Sequence, residues 1–467
     1  MIPERLQRLV ADTAEIGERF AAEGKRLYLV GGVVRDVLLG VARDGKDLDF
    51  TTDARPDDIE RIVSGWADAV WTQGKRFGTI GCLKRDVQLE ITTHRAEVYT
   101  PDSRKPDVAF ADAIEADLSR RDFTVNAMAL GLPDAELIDP FGGLTDLAAK
   151  RLRTPLEPEV SFSDDPLRML RAARFIAGYE LEPDPALVEA VKAMHTRMEI
   201  VSRERIRDEL DKLMVVERPG PGLWFVVETG LADEFIPELP GLALEQDPIH
   251  RHKDVLAHTI AVVERAAPDR LLRLAALFHD VGKPRTRRIG PAGVSFHHHE
   301  VVGARMTRER MKELRYSNDD VDAVTRLVEL HLRFHGYSEG DGGWTDAAVR
   351  RYARDAGPLL DQLNQLTRAD CTTRNRRKAD ELARRMDMLE QRIAELRERE
   401  ELESLRPDID GRQVMEHLGV RPGPLVGQAL AYLLELRLEE GPLGEEEAFR
   451  RLDKWWADHQ PGGPSEL

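Results

Sequence analysis

Apolar residues change their period several times along the chain, and each change marks a different kind of element. Between Arg26 and about Arg153, short β-rich runs alternate with turns. The runs Leu27–Val30, Leu48–Thr51, Thr79–Leu83 and Val87–Thr92 predict strands, with segments such as Tyr99–Pro106 as loops between them. This is the one convincing sheet. Pro155 and Pro158 close the region. Helical spacing then runs from Pro166 to about Val216, until the Pro219–Gly222 run interrupts it before a further helix. A third region, rich in histidine, begins near Gln246. In the fourth, Leu382, Met386, Leu389, Ile393 and Leu396 step by four and three residues. Such a stripe predicts one side of an intramolecular helical hairpin rather than a dimer seam. A last stretch, Ile409–Leu452, carries helix and turn signals around Gly419 and Gly423. These shifts predict four segments, 1–153, 154–245, 246–378 and 379–467, with no internal repeats.

Composition narrows the picture. A chain of 467 residues exceeds what one core organises, and 42% hydrophobic beside 33% charged residues reads as soluble and globular. Aromatics make up only 6%, while Ala, Leu, Arg and Glu abound, which predicts mostly helix. The net charge of −17 argues against a protein that coats nucleic acid non-specifically, yet leaves room for local basic patches. Two cysteines, Cys82 and Cys371, form neither a disulfide framework nor a Cys-x-x-Cys zinc site. The first twenty residues have helical spacing and none of the features of a signal peptide, and no apolar run is long enough to span a bilayer. A cytoplasmic protein is expected.

Chemistry first concentrates where the strand Leu27–Val30 runs into Gly31-Gly32-Val33-Val34-Arg35-Asp36. Glycines at a strand end let backbone approach a phosphate, and the following helix aims its N–H groups there. Arg35 would add a charge-assisted contact. A glycine pair alone is usually only a turn, so its context decides. In Asp47-Leu48-Asp49, residues two apart on a strand project to one face, so both carboxylates can hold Mg²⁺. Glu90, on the neighbouring predicted strand, is the candidate for a third acid.

These residues resemble the signature of the class II nucleotidyltransferases, the CCA-adding enzymes and bacterial poly(A) polymerases. The resemblance continues through Arg120-Arg121-Asp122-Phe123-Thr124-Val125-Asn126-Ala127-Met128 and Asp139-Pro140-Phe141-Gly142-Gly143, in family order. It covers about the first 210 residues clearly and the rest by weaker patterns. It implies an α+β fold in which a small mixed-sheet, polymerase-β-like head precedes all-α neck, HD and tail domains. It also implies that Gly31, Gly32, Arg35 and Arg121 bind the nucleotide and that Asp47 and Asp49 bind metal.

Past the proline boundary lies Asp164-Asp165-Pro166-Leu167-Arg168-Met169-Leu170-Arg171, followed by Arg174 and Phe175. On a helix, Asp165, Arg168 and Arg171 occupy successive turns offset by about sixty degrees and form one polar strip. A carboxylate only accepts hydrogen bonds and a guanidinium only donates. Cytosine and adenine both present an amino donor beside a ring-nitrogen acceptor, whereas guanine and uracil present the reverse. An Asp165–Arg168 pair therefore suits C and A. Arg174 falls on the opposite side from Asp165 and completes the nucleotide-binding candidates. Ser202 with Arg205 reads as a helix start.

The third region resembles the HD phosphohydrolase domain through His258, His279-Asp280, His299, His331 and Asp370. The resemblance implies His258, His279, Asp280 and Asp370 as metal ligands, with His299 and His331 near metal or phosphate. Imidazole and carboxylate together suit Mg²⁺ or a transition metal. His297 and His298 are expected to face solvent. Basic islands at Arg285, Arg287 and Arg288, and across Arg374–Lys378, are candidates for RNA phosphates.

The expected activity is template-independent addition of C and A from CTP and ATP to the 3′ end of tRNA, with Mg²⁺ in the head. Three rivals stand beside it: a bacterial poly(A) polymerase, an enzyme adding only CC or only A, and an HD phosphohydrolase that binds RNA.

Overall fold

The computed structural model describes residues 4–41, 47–98, 107–111, 113–244, 254–290, 293–336, 344–372, 376–400 and 406–459. The predicted loop at 99–106 and the start of the histidine-rich region near 246 lie outside them. Two compact units divide the chain, Met1–Phe235 and Ile236–Leu467.

The first unit opens with α1 (Glu4–Ala22), β1 (Leu27–Val30), α2 (Gly32–Leu39) and β2 (Asp47–Thr52). After α3 (Pro56–Val63) come β3 (Ala69–Trp71), β4 (Thr79–Lys84) and β5 (Val87–Thr93). A separate hairpin joins β6 (Arg95–Val98) to β7 (Asp107–Phe110). Then follow α4 (Ile114–Ser119), β8 (Ala129–Leu132), β9 (Leu137–Ile138) and α5 (Gly143–Ala148). All four expected strands are present, inside one seven-stranded sheet of order β3-β4-β5-β2-β1-β8-β9. Every neighbouring pair is antiparallel except β2 and β5, which run parallel. Along β2, Leu48 and Phe50 enter the core while Asp47 and Asp49 stay on the exposed face, as the period of two demands.

The same unit continues as helices α6 (Pro158–Asp164), α7 (Leu167–Tyr179), α8 (Pro185–Met194), α9 (Arg203–Met214) and α10 (Gly220–Glu228). Met169, Leu170 and Phe175 of α7 are buried, and α7 packs on α9 and α10. The Ser202 side chain accepts from the Arg205 N–H and starts α9, as expected.

The second unit begins with α11 (Val255–Arg265), α12 (Arg270–Phe278), α13 (Lys283–Thr286) and α14 (His299–Glu313). It goes on through α15 (Asn318–Leu330), α16 (Arg333–Gly336), α17 (Asp346–Ala356) and α18 (Leu360–Asp370). Residues 236–244 belong here rather than with the neck, because 240–242 pack against α11 and α13. The remaining helices are α19 (Arg376–Glu400), α20 (Gly411–Leu418), α21 (Pro424–Glu440) and α22 (Glu445–His459). Met386, Leu389, Ile393 and Leu396 are buried where α19 packs on α17 and α18. The stripe is therefore intramolecular. Both cysteines are free, and among the described residues no helix is long and apolar enough to cross a membrane.

Candidate active site

The head presents its acids by strand register. Asp49 pairs with Glu90 across the parallel β2–β5 ladder, so the two carboxylates leave the same face side by side. Asp47 shares that face two residues earlier. Asp49 and Glu90 line a cavity of about 230 Å³, together with Arg121. Asp47, Asp49 and Glu90 do not draw within 4.8 Å of one another as a preformed cage; the groups that do so among the described residues lie in the second unit. An exposed all-oxygen donor set on a polar cavity fits a hard cation such as Mg²⁺, which keeps several waters and completes its shell with substrate phosphates.

Beside the acids, β1 runs into Gly31, whose φ of 76° lies in the left-handed region. A Cβ there would sit 3.4 Å from Arg121 Nη1 and 3.7 Å from Asp49 Oδ2. The backbone thus passes between the arginine and the acid expected to hold nucleotide and metal. Arg121 is oriented by the buried Asp117, Nη2 to Oδ2 at 3.0 Å. Burial of Asp117 makes that pairing hard to give up.

A second cavity, of about 300 Å³, is lined by Gly31, Gly32 and Asp49 on the head side and by Asp165, Arg168 and Arg171 from the neck. The predicted reading pair, Asp165 and Arg168, and Arg171 beside it thus line the same cavity as the glycine turn. Their geometry differs from a strip on one helix. Asp165 lies in extended backbone between α6 and α7, because Pro166 disfavours a helical residue before it. Its Oδ1 accepts from the Leu167 N–H at 3.2 Å and its Oδ2 from Arg205 at 2.7 Å. Arg168 is buried, and it donates to the Ser161 hydroxyl at 2.8 Å and to the Arg120 carbonyl rather than to Asp165. Arg171 forks onto Asp122 with Nε at 3.0 Å and Nη2 at 2.6 Å. Burial would raise the Asp122 carboxyl, but Arg171 and the Asn126 amide outweigh it and hold it at about 2. Arg174 pairs with the buried Glu209 and is not among the cavity's lining residues.

Arg35 departs most from its expected place. It is buried and absent from both cavity walls, and it spends its donors on Asp36, Asn126 and the Tyr179 hydroxyl. A triphosphate contact from it is not what this geometry supports. Motif spacing places Arg35 on a helix near the site but not its direction, which Asn126 and the Tyr179 hydroxyl set.

In the second unit, six residues converge from α11, the end of α12, α14, the end of α15 and α18. His258, His279 and Asp370 form one tight group, and Asp280, His299 and His331 another. His258 Nε2 lies 2.9 Å from Asp370 Oδ1, and His279 Nε2 lies 3.3 Å from His258 Nε2. His279, His299 and His331 each donate Nδ1–H to a carbonyl, of Ala276, Phe296 and Val328, at 2.8, 2.8 and 2.7 Å. A carbonyl only accepts, so each Nδ1 carries its hydrogen and Nε2 is the atom left for another partner. The Nε2 of His331 is buried with no hydrogen-bond partner, and the buried Nε2 of His299 faces Asp280 Oδ1 at 3.3 Å. Such an orphaned acceptor suits a metal ion. Burial opposes charge on His279, yet Asp280 and Asp370 raise it to about 10, so a metal would replace that proton. His297 and His298 are exposed, as expected. Of the basic islands, Arg376, Arg377 and Arg384 border an open cleft on α19, and residues 374–375 lie outside the described residues.

Paired strand carboxylates, a glycine turn at a helix start and an arginine-lined cavity define a nucleotidyltransferase head, here followed by an HD-type centre. Three family descriptions match in the same order: Poly A polymerase head domain over residues 27–153, probable RNA and SrmB-binding site of polymerase A over 180–242, and HD domain over 255–375. The A-adding tRNA nucleotidyltransferase of Deinococcus radiodurans is 34% identical over 449 residues, 93% of this chain and 96% of that protein. The CCA-adding enzyme of Bacillus licheniformis is 40% identical over 220 residues, 47% of this chain and 53% of that protein. The crystal structure of the Bacillus stearothermophilus CCA-adding enzyme in complex with CTP shares the fold, with a TM-score of 0.71 at 23% identity, covering 98% and 99% of the two chains. This chain belongs to the family of tRNA nucleotidyltransferases and poly(A) polymerases.

Proposed function

We propose that the protein adds C and A, without a template, to the 3′ end of tRNA in the cytoplasm, using CTP and ATP. The observation that carries this is the single cavity shared by Gly31, Gly32 and Asp49 with Asp165, Arg168 and Arg171. A triphosphate laid on the Gly31-Gly32 turn places its base toward the neck residues, and Arg121, braced by Asp117, meets the phosphates. Asp47 and Asp49, with Glu90 beside them, would hold Mg²⁺. Bound there, the metal lowers the pKa of the attacking 3′-hydroxyl and screens the charge of the leaving pyrophosphate. Incubation with tRNAs ending before, within and after CCA, each nucleotide supplied singly, tests the whole reading.

Addition of A alone is a second reading, favoured by the near full-length likeness to an A-adding relative. CTP supplied alone to a tRNA lacking CCA separates the two. Efficient C addition excludes both the A-only enzyme and a poly(A) polymerase.

Asp165→Ala is expected to relax base choice more than it slows chemistry. Loss of the acceptor for the amino groups of C and A should shrink discrimination against U by about 1–3 kcal/mol. Competition of CTP with UTP on one primer measures this, and an unchanged incorporation ratio would assign base reading to other residues.

The clustered histidines of the second unit support a metal-dependent phosphohydrolase activity alongside nucleotide addition. His279→Ala with Asp280→Ala should abolish metal retention and any hydrolysis of cyclic-phosphate RNA while sparing nucleotide addition. Wild-type protein that retains no Mn²⁺, Ni²⁺ or Mg²⁺ and hydrolyses nothing would reduce this centre to architecture.

A further inference from the structure

Arg35 stands at the end of a continuous hydrogen-bonded chain. Its Nε donates to Asp36 Oδ1 at 2.8 Å, one Nη donates to the Asn126 side-chain oxygen and the other to the Tyr179 hydroxyl. Its guanidinium also lies 4.2 Å from the centroid of the Tyr179 ring, so α7 grips it by stacking as well as by hydrogen bonding. Asn126 Nδ2 then donates to Asp122 Oδ1 at 2.8 Å, and Asp122 Oδ2 receives the Arg171 fork.

The order of donors and acceptors is restrictive. Asn126 must accept from a guanidinium and donate to a carboxylate at once. One amide orientation does both, whereas a carboxylate at that position would face Asp122 with like charge and an alkyl side chain would break both links. Asp122 in turn has one oxygen for Asn126 and one for Arg171. Asn126, Asp122 and Arg171 line the cavity, and Arg35, set back from it, belongs to α2, whose first residue Gly32 also lines it.

We propose that Arg35 is a positioning residue that, through Asn126 and Asp122, sets the orientation in which Arg171 meets the incoming nucleotide. This rests on the nucleotide-addition reading above. Selection among bases then depends on a side chain that lines neither cavity.

The test is a set of steady-state kcat and KM values for ATP, CTP, GTP and UTP on one tRNA primer, with thermal unfolding as the check on folding. Arg35→Lys keeps the charge but loses the fork and the stack. It should narrow the ratio of kcat/KM between correct and incorrect nucleotides about tenfold. Tyr179→Phe keeps the ring and loses one acceptor, and should narrow the ratio about threefold in the same direction. In an Arg171→Lys background, Arg35→Lys should change the ratio little, because the two act as one unit. A uniform rise in KM for all four nucleotides with the ratio intact would make Arg35 a phosphate ligand and overturn the proposal. Should Arg35→Lys not fold, Tyr179→Phe decides, and an unchanged ratio overturns the proposal. Wild-type protein that incorporates no nucleotide overturns the functional reading and this proposal together, whereas normal wild-type selectivity with unaltered variants overturns this proposal alone.

Discussion

Replacing Asp49 by Ala is expected to lower incorporation of both C and A by about a thousandfold or more, because a lost metal ligand forfeits several kcal/mol of transition-state stabilisation. The residue stands opposite Glu90 in the parallel ladder and lines both cavities. Asp47→Ala should act in the same direction, since its side chain leaves the same face of β2. Both positions are exposed, which predicts that the variants fold normally and that the loss is chemical. Single-turnover incorporation in chelator-cleaned buffer with Mg²⁺ restored gives the measurement. Near-normal rates in either variant would remove that residue from the metal site.

The second large effect is structural and falls on one member of a glycine pair. At Gly143, a Cβ would lie 2.2 Å from the Thr124 carbonyl oxygen and 2.9 Å from Met128 Cγ. Thr124 cannot retreat cheaply: its N–H bonds the Arg153 carbonyl at 2.8 Å and its hydroxyl bonds the fully buried Asp146 at 2.7 Å. Gly143→Ala should therefore destabilise the head by about 3 kcal/mol or more. Gly142 needs glycine for a different reason, a φ of 73° with its Cβ direction open to 3.7 Å, so Gly142→Ala should cost about 1 kcal/mol. Hydrogen exchange over residues 124–128 reads the difference locally. Equal protection in the two variants would show that the turn yields.

The strands that carry chemistry were legible because they alternate cleanly and contain β-branched residues. β8, Ala-Leu-Gly-Leu, was not legible, since nothing in that composition favours a strand; it becomes one by pairing with β1 from Leu27 opposite Leu132. β3 is a half-exposed edge of three residues, too short to show a period. In the site, Asp49 and Glu90 came from spacing on predicted strands, and the histidine cluster came from the resemblance to the HD domain. Arg35 shows the limit of such reasoning. Sequence spacing places a residue on a helix near a site, but which way a long side chain turns depends on partners such as Tyr179, distant in sequence and invisible until the fold brings them close. Asp165 shows another limit: a proline one residue later broke the helix on which a regular strip had been drawn.

The pairing of β2 with β5, and of β1 with β8, has a consequence for biosynthesis. β1 and β2 leave the ribosome first, yet their outer partners are β8 and β5, so the middle of the sheet closes only after residue 132 has emerged. At about 5–20 residues per second, the first two strands spend on the order of ten seconds with unpaired edges. Pairings so distant in sequence also form slowly once available. The nascent head is therefore the segment of this chain most exposed to chaperones and to aggregation, whereas the locally folded helices made after it are not.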